Sequence, residues 1–249
     1  MGGLARRASF IEMKRTSAEK NVTRLFVAGP YELAATDGGR VPAMRAPLVV
    51  ARAHAAMGYD AMLLTPADLA LTGAPPPKGL ARWAELPRRA KGEVLIRNGL
   101  RIAVVRFPMA EGIDGRPTEE QFRQAREEGI HLRREADVVI GISPWGAHAE
   151  QAFLERFAAA TQPYDVLLGG GPGPGHSGRI AGGGSATWLR PYPQGKAVQW
   201  LRLDGLPKKR PDVWLKRETD VRFGSVSLDG SVPEDKTIND LLREIRAAD

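Results

Sequence analysis

Four short apolar runs set the limits on what this chain can fold into. They cover residues 24–28, 59–64, 137–142 and 165–168, with helix-forming sequence among the segments between them. A continuous apolar run, as opposed to strict alternation, marks a strand covered on both faces, and strands joined through helices lie parallel. The fold class that follows is α/β, a mostly parallel central sheet flanked by helices. In such sheets ligands sit beyond the carboxyl ends of the strands. The most unusual of these ends is the last, where Asp165-Val-Leu-Leu168 breaks into a loop holding Gly169, Gly170, Gly171 and Gly173 with Pro172 and Pro174.

The remaining segments read as follows. A helix opens the chain over residues 5–20 and a second covers 42–57. Residues 79–90 read as helical, interrupted by Pro87. Two strands, 93–96 and 100–107, flank Arg97-Asn98-Gly99, a hairpin signal. Thr118-Glu-Glu-Gln121 is a capping box opening a helix that runs to about Glu135. A further helix covers 147–160. After residue 168 the pattern changes to consecutive antiparallel strands near the C-terminus, at 185–189, 196–204 and 212–223. Ser231-Val-Pro-Glu234 caps a terminal helix whose Ile238, Leu241, Leu242 and Ile245 follow helical spacing. One domain over residues 1–249 is expected, with a core at 1–205 and a strand and helix extension at 206–249.

Composition narrows the chemistry. Cysteine is absent, so there is neither a disulfide, a thiolate metal site nor a cysteine nucleophile. Lys and Arg number 36 against 29 Asp and Glu, a net charge of +7. The basic residues are scattered in short groups with only Trp and Tyr singletons nearby, so specific nucleic-acid binding is not expected. The first residues lack a signal peptide's apolar core, and no apolar run is long enough to span a bilayer; a cytoplasmic protein is expected.

Several motif readings fail on their own terms. Gly173-Pro-Gly175-His-Ser-Gly178 has dinucleotide-fingerprint spacing, but Arg179-Ile-Ala-Gly-Gly-Gly184 cannot supply the helix N-terminus the pyrophosphate needs. No Gly-Lys-Ser/Thr follows a glycine-rich loop. His54, His131 and His148 fall within predicted helices, where a structural or solvated role is the default. His176 is the one histidine placed by a strand end. Asp68, on the loop after the second strand, is the best-placed carboxylate for acid–base work. It also suits an N-cap or Asx-turn for the short helix there. Ser143 has no histidine and aspartate partners in view.

Taken together, several stretches resemble the five-prime nucleotidase-type metallophosphoesterases, the calcineurin-like superfamily. Gly2-Gly-Leu-Ala-Arg-Arg-Ala-Ser-Phe-Ile11 resembles that family's first helix. Met57-Gly-Tyr-Asp-Ala-Met-Leu-Leu64 resembles the strand leading to its Gly-Asn-His-Glu/Asp signature. Ala136-Asp-Val-Val-Ile-Gly-Ile-Ser143 and Tyr164-Asp-Val-Leu-Leu-Gly-Gly170 resemble the strands leading to its Ser-His and Gly-Gly-His-Ser/Thr-His. Pro193-Gln-Gly-Lys196 and Val232-Pro-Glu-Asp235 match later segments. The resemblance implies an α+β sandwich of the metallo-dependent phosphatase type. It also implies two metal ions at strand ends that lower the pKa of a bridging water and neutralise phosphoryl charge.

Position by position, the ligands are replaced. The bridging aspartate falls on Pro30 and the Asn-His pair on Pro66 and Ala67, leaving Asp68 of the acidic end. The Ser-His histidine falls on Pro144, and the last two histidines on Gly171 and Gly173. The family's first strand, with its Asp-x-His, and its second domain have no counterpart in the sequence. None of the replacing side chains carries a lone pair for a metal. The expectation is a catalytically inactive metallophosphoesterase-like protein, without a cofactor, kept for binding or scaffolding. Its partner, another protein or a second copy, would meet the face of Ile238, Leu241, Leu242 and Ile245 and an open sheet edge. One alternative is a divergent phosphoesterase whose manganese or zinc is held by Asp68, His148, His176 and Asp137. Another is a phosphate- or nucleotide-binding module using the amides of Gly169, Gly170 and their neighbours.

Overall fold

The computed structural model describes residues 3–17, 19, 22–34, 46–112, 115–156, 162–192, 195–205, 215 and 218–246. In chain order the elements are α1 (Leu4–Thr16), β1 (Val27–Ala28), α2 (Ala46–Ala56), β2 (Ala61–Met62), α3 (Pro66–Thr72), β3 (Lys91–Arg97), β4 (Leu100–Arg106) and α4 (Glu119–Arg133). There follow β5 (Val138–Ser143), α5 (Ala147–Glu155), β6 (Val166–Gly169), β7 (His176–Ala181), β8 (Ala186–Arg190), β9 (Ala197–Leu203), β10 (Val221–Ser227) and α6 (Lys236–Arg246). The chain forms two compact units. Unit 1 comprises residues 1–86, 192–198 and 226–249, and unit 2 residues 87–191 and 199–225, so neither unit ends at residue 205. Among the described residues no helix is long and apolar enough to cross a membrane.

Unit 2 is built on a six-stranded sheet in the order β3-β4-β5-β6-β8-β7. β4, β5, β6 and β8 run parallel, and β3 and β7 close the two sides antiparallel. Its apolar runs explain the burial: Val139, Ile142 and Leu167 are fully covered. One face carries an aromatic cluster of Phe107, Phe122, Trp145, Phe153 and Tyr164, with edge and tilted ring contacts such as Phe107–Trp145 at 4.7 Å. The capping box forms as the sequence predicts: Thr118 accepts from the Gln121 amide, and Gln121 accepts from the Thr118 amide at 3.1 Å. The β3–β4 hairpin turns at Asn98 and Gly99, both with positive φ (50° and 81°), as a tight two-residue turn requires.

Unit 1 holds the short parallel pair β1–β2 and two apolar clusters. Ala5 of α1, Ala53 of α2 and Ile238 of α6 form one, with Leu241 and Leu242 against it; Phe10, Leu228 and Val232 form the other. The terminal helix therefore turns its apolar face inward. Ile238 is 1% exposed. Of the face the sequence offered to a partner, Ile238 is covered by the chain's own α1 and α2 and Leu241 and Leu242 are half-buried against them, because a stripe of helical spacing fits any apolar surface, own or foreign. The side chain of Ile245 lies outside the described residues.

Four further expectations need correction. Residues 79–90 do not form a helix. Beyond a single 3-10 turn at Ala81–Trp83, the path is fixed by buried Trp83 and by Arg82 donating to Tyr59 O and Asp60 O. Gly79 packs on the Ala55 carbonyl, where a Cβ would sit 2.6 Å away. The stretch 176–181, given no element in the sequence, is strand β7. β8 is not the first of three antiparallel neighbours but lies between β6 and β7, while β9 pairs with β10. Asp235, not Ser231, caps α6, accepting from the Ile238 amide at 2.9 Å. The expected helix start at 42–45, the tail at 157–160 and much of the strand over 212–217 lie outside the described residues.

Candidate functional site

Strand-end positions occur in both units, and each unit builds its own differently. In unit 1, β1 leads to buried Pro30 and β2 to Pro66, which opens α3 with Ala67; both of the latter are exposed. Proline at the first helical turn is favoured because its missing N–H had no intrahelical partner to lose. Asp68 is fully buried at the third position of that helix. It is not the N-cap; Thr65 is, and the two form a reciprocal capping box. The Asp68 carboxylate also reaches across to the loop after β1. Oδ1 accepts from the Leu33 and Ala34 amides, both at 2.9 Å. Oδ2 accepts from Tyr31 N (3.0 Å), Thr65 N (2.8 Å) and Thr65 Oγ1 (2.7 Å). A carboxylate has about four lone-pair sites. Asp68 is saturated by its own chain.

A second polar cluster in unit 1 was not legible in the sequence. Arg7 of α1 pairs with Glu32 at 2.5 Å, near His54 of α2 and Tyr59. His54 is 1% exposed, stacks on Tyr59 with centroids 6.0 Å apart, and has no hydrogen-bond partner at either ring nitrogen. Burial, reinforced by the Arg7 charge, lowers its pKa from 6.5 to about 4. Burial pushes the Glu32 carboxyl up, but Arg7 and His54 outweigh it and hold the group below its usual range.

In unit 2, β5 ends at Ser143, whose Oγ accepts from the Trp145 amide at 3.2 Å, and then at buried Pro144. The glycine-rich loop follows β6 and closes around a side chain that the sequence reading passed over. Arg190, at the end of β8, is 2% exposed and spends all five N–H donors. Nε donates to Pro174 O (3.1 Å), Nη1 to Gly170 O (3.1 Å) and to Glu150, and Nη2 to Gly171 O (2.9 Å) and Pro172 O (3.0 Å). Glu150 of α5 is fully buried and also accepts from Gly170 N (3.1 Å) and Trp188 Nε1 (3.0 Å). Burial drives the Glu150 carboxyl upward, and the guanidinium, the Gly170 amide and the indole pull against it. Gly169 must be glycine because a Cβ there would run into the Glu150 carboxylate, and Gly173 adopts φ 109° with its Cα facing Ala147.

Thus Gly170, Gly171 and the two prolines turn carbonyls inward onto a cation. A phosphate nest needs the opposite, converging N–H groups. His176, the first residue of β7, stands edge-on to Trp188 at 4.9 Å with both ring nitrogens unpartnered. Burial, with Arg179 and Arg190 nearby, lowers its pKa to about 4. His148 is exposed on α5. Asp137 lies before β5, where it accepts from the Arg101 amide at 2.8 Å. A six-residue strand of about 20 Å therefore separates Asp137 from the end that leads to His148. Among the described residues no three His, Asp or Glu side chains gather as metal ligands. At the positions the resemblance assigns, Pro30, Pro66, Ala67, Pro144, Gly171 and Gly173 offer no side-chain donor, and the one carboxylate left is saturated. Among the described residues, those at these positions do not fit a metal centre.

The arrangement of elements is similar to that of several solved structures. The sulfate thiohydrolase SoxB of Thermus thermophilus superposes with a TM-score of 0.68 at 16% identity, over 100% of this chain and 47% of that one. A 5'-nucleotidase precursor, also from Thermus thermophilus, gives 0.67 at 15%, over 99% and 54%. The calcineurin-like phosphoesterase YfkN of Bacillus subtilis gives 0.59 at 16%, over 99% and 89%. The fold is that of the calcineurin-like metallophosphoesterases, and the chain spans about half the length of the first two of these proteins. No family model and no curated protein matches the sequence.

Proposed function

We propose that this chain is a catalytically inactive protein of metallophosphoesterase fold, serving as a binding or scaffolding subunit. One observation carries the reading: the loop after β6, where the resemblance puts two metal-binding histidines, is filled by the Arg190–Glu150 pair, with the guanidinium satisfied by loop carbonyls. The loop carbonyls and the Glu150 carboxylate are already engaged by the guanidinium and are not open to a divalent ion. The saturated Asp68 supports the same reading in unit 1.

The test is metal content and hydrolysis together. After dialysis against manganese or zinc, the purified chain should hold well under one ion per molecule. It should also not hydrolyse nucleotides or phosphodiesters above the buffer rate. The unpartnered nitrogens of His176 favour one second reading, a phosphoesterase with a relocated metal. Stoichiometric metal that disappears in His176→Ala would establish it in place of the first.

A further inference from the structure

β3 is an outer strand of the six-stranded sheet, seven residues long and paired with β4 without a bulge. In an antiparallel ladder alternate residues aim their N–H and C=O at the neighbour or away from it. The Gly92 amide donates to Glu128 Oε1 of α4 at 2.9 Å, and Ile96 O accepts from its neighbour Arg97 Nη1 at 3.1 Å. Both groups point away from β4, so Gly92, Val94 and Ile96 form the outward set. Among the described residues no hydrogen bond reaches the N–H or C=O of Val94 or the N–H of Ile96. Ile96 is 63% exposed, and one buried carboxylate oxygen of Glu93 has no partner.

We propose that β3 is the seam of a symmetric dimer, pairing antiparallel with β3 of a second copy about a two-fold axis at Leu95. This register sets Val94 opposite the second copy's Ile96, twice, as bonded pairs with apolar side chains in contact. It sets Glu93 opposite the second copy's Arg97, also twice, so that opposite charges face each other across the seam. Centring the pair on Val94 would oppose Lys91 to Arg97 and would need the Gly92 amide that Glu128 already holds. Centring it on Ile96 would leave Glu93 facing Gly99 in the turn. The strand's charges complement themselves in the Leu95 register and not in the adjacent ones.

The dimer names a partner for the binding role proposed above. It rests on that reading for its use alone, since metal and hydrolysis assays can fail while the dimer stands, and the reverse. Light scattering of the intact chain between about 1 and 100 µM should give a mass climbing towards twice 27.0 kDa. Glu93→Arg and Arg97→Glu should each weaken association by about tenfold or more, and the combination should restore it, because the two-fold brings each altered residue onto the other. Val94→Pro removes an N–H that β4 does not use, a change edge strands tolerate, and should yield a monomer with unchanged circular dichroism. A monomer throughout, or a dimer indifferent to every variant, overturns the proposal. Should Val94→Pro fail to fold, the charge-reversal pair decides alone.

Discussion

Asp68, in the first turn of α3, and Arg190, at the end of β8, are both buried, and both gather loop backbone around a charge, but of opposite sign. Asp68 draws in amides, those of Tyr31, Leu33, Ala34 and Thr65. Arg190 draws in carbonyls, those of Gly170, Gly171, Pro172 and Pro174. The difference follows from what each loop can present. The loop after β1 presents the amides of Tyr31, Leu33 and Ala34, and the turn into α3 adds that of Thr65, for which an acid at the helix's third position is suited. A loop of glycines and prolines is short of donors, since proline has none, and rich in carbonyls, so a guanidinium suits it. Asp68 needs no counter-ion because dipoles surround it. Arg190 brings one, Glu150, and the pair is charge-neutral.

That contrast predicts an order of sensitivity. Arg190→Met should have the largest effect, about 3–5 kcal/mol, because it strands Glu150 as a buried, unpaired carboxylate. Pairing it with Glu150→Leu should recover much of the loss, which urea denaturation of the singles and the double would measure. Full recovery is not expected, since the loop carbonyls still lose their donor.

Acid should come next, acting on unit 1 through His54 beside Arg7, Glu32 and Tyr59. Its folded pKa, about 4, lies below the unfolded value of 6.5. The stability it contributes is therefore fully present above pH 6.5 and is lost as pH falls through 4, by roughly 1.4 kcal/mol per pH unit in between. His54→Leu should flatten the pH dependence of the urea midpoint across that window. An unchanged slope would contradict the burial that sets the shift.

Asp68→Asn should cost less, about 1–3 kcal/mol, because one acceptor oxygen remains while an amide nitrogen faces donors it cannot satisfy. No buried counter-charge is released, so no second substitution should rescue it, in contrast to Arg190. Thr65→Val should cost least, about 1 kcal/mol, the usual worth of an N-cap. Thermal midpoints of these two variants would rank them. Asp68→Asn proving milder than Thr65→Val would show that the bonds to the Tyr31, Leu33 and Ala34 amides matter little.

How much of this was readable in advance depends on the range of the interaction. The Thr118 box, the Asn98-Gly99 turn and the buried strands around residues 139 and 167 were legible because their signals lie within a few residues. The Gly79 region misled because helix-compatible composition was overridden by Trp83 and by Gly79 packing on Ala55. Strand β7 was missed because three glycines follow it and weaken any pattern. Arg190 and Glu150 are forty positions apart, and nothing local marks either as a partner of the loop. A buried arginine looks, in sequence, like the solvated ones around it.

By itself the sequence determined the α/β class, the placing of strand ends and the absence of donor side chains at Pro30, Pro66, Pro144, Gly171 and Gly173, because side-chain chemistry and short-range periodicity are written residue by residue. Only the tertiary structure decided that α6 buries Ile238 within unit 1, that Asp68 is consumed by amides, and that Arg190 fills the loop after β6. Those outcomes depend on which distant groups are left without water and must find one another, and no window along the chain contains both members.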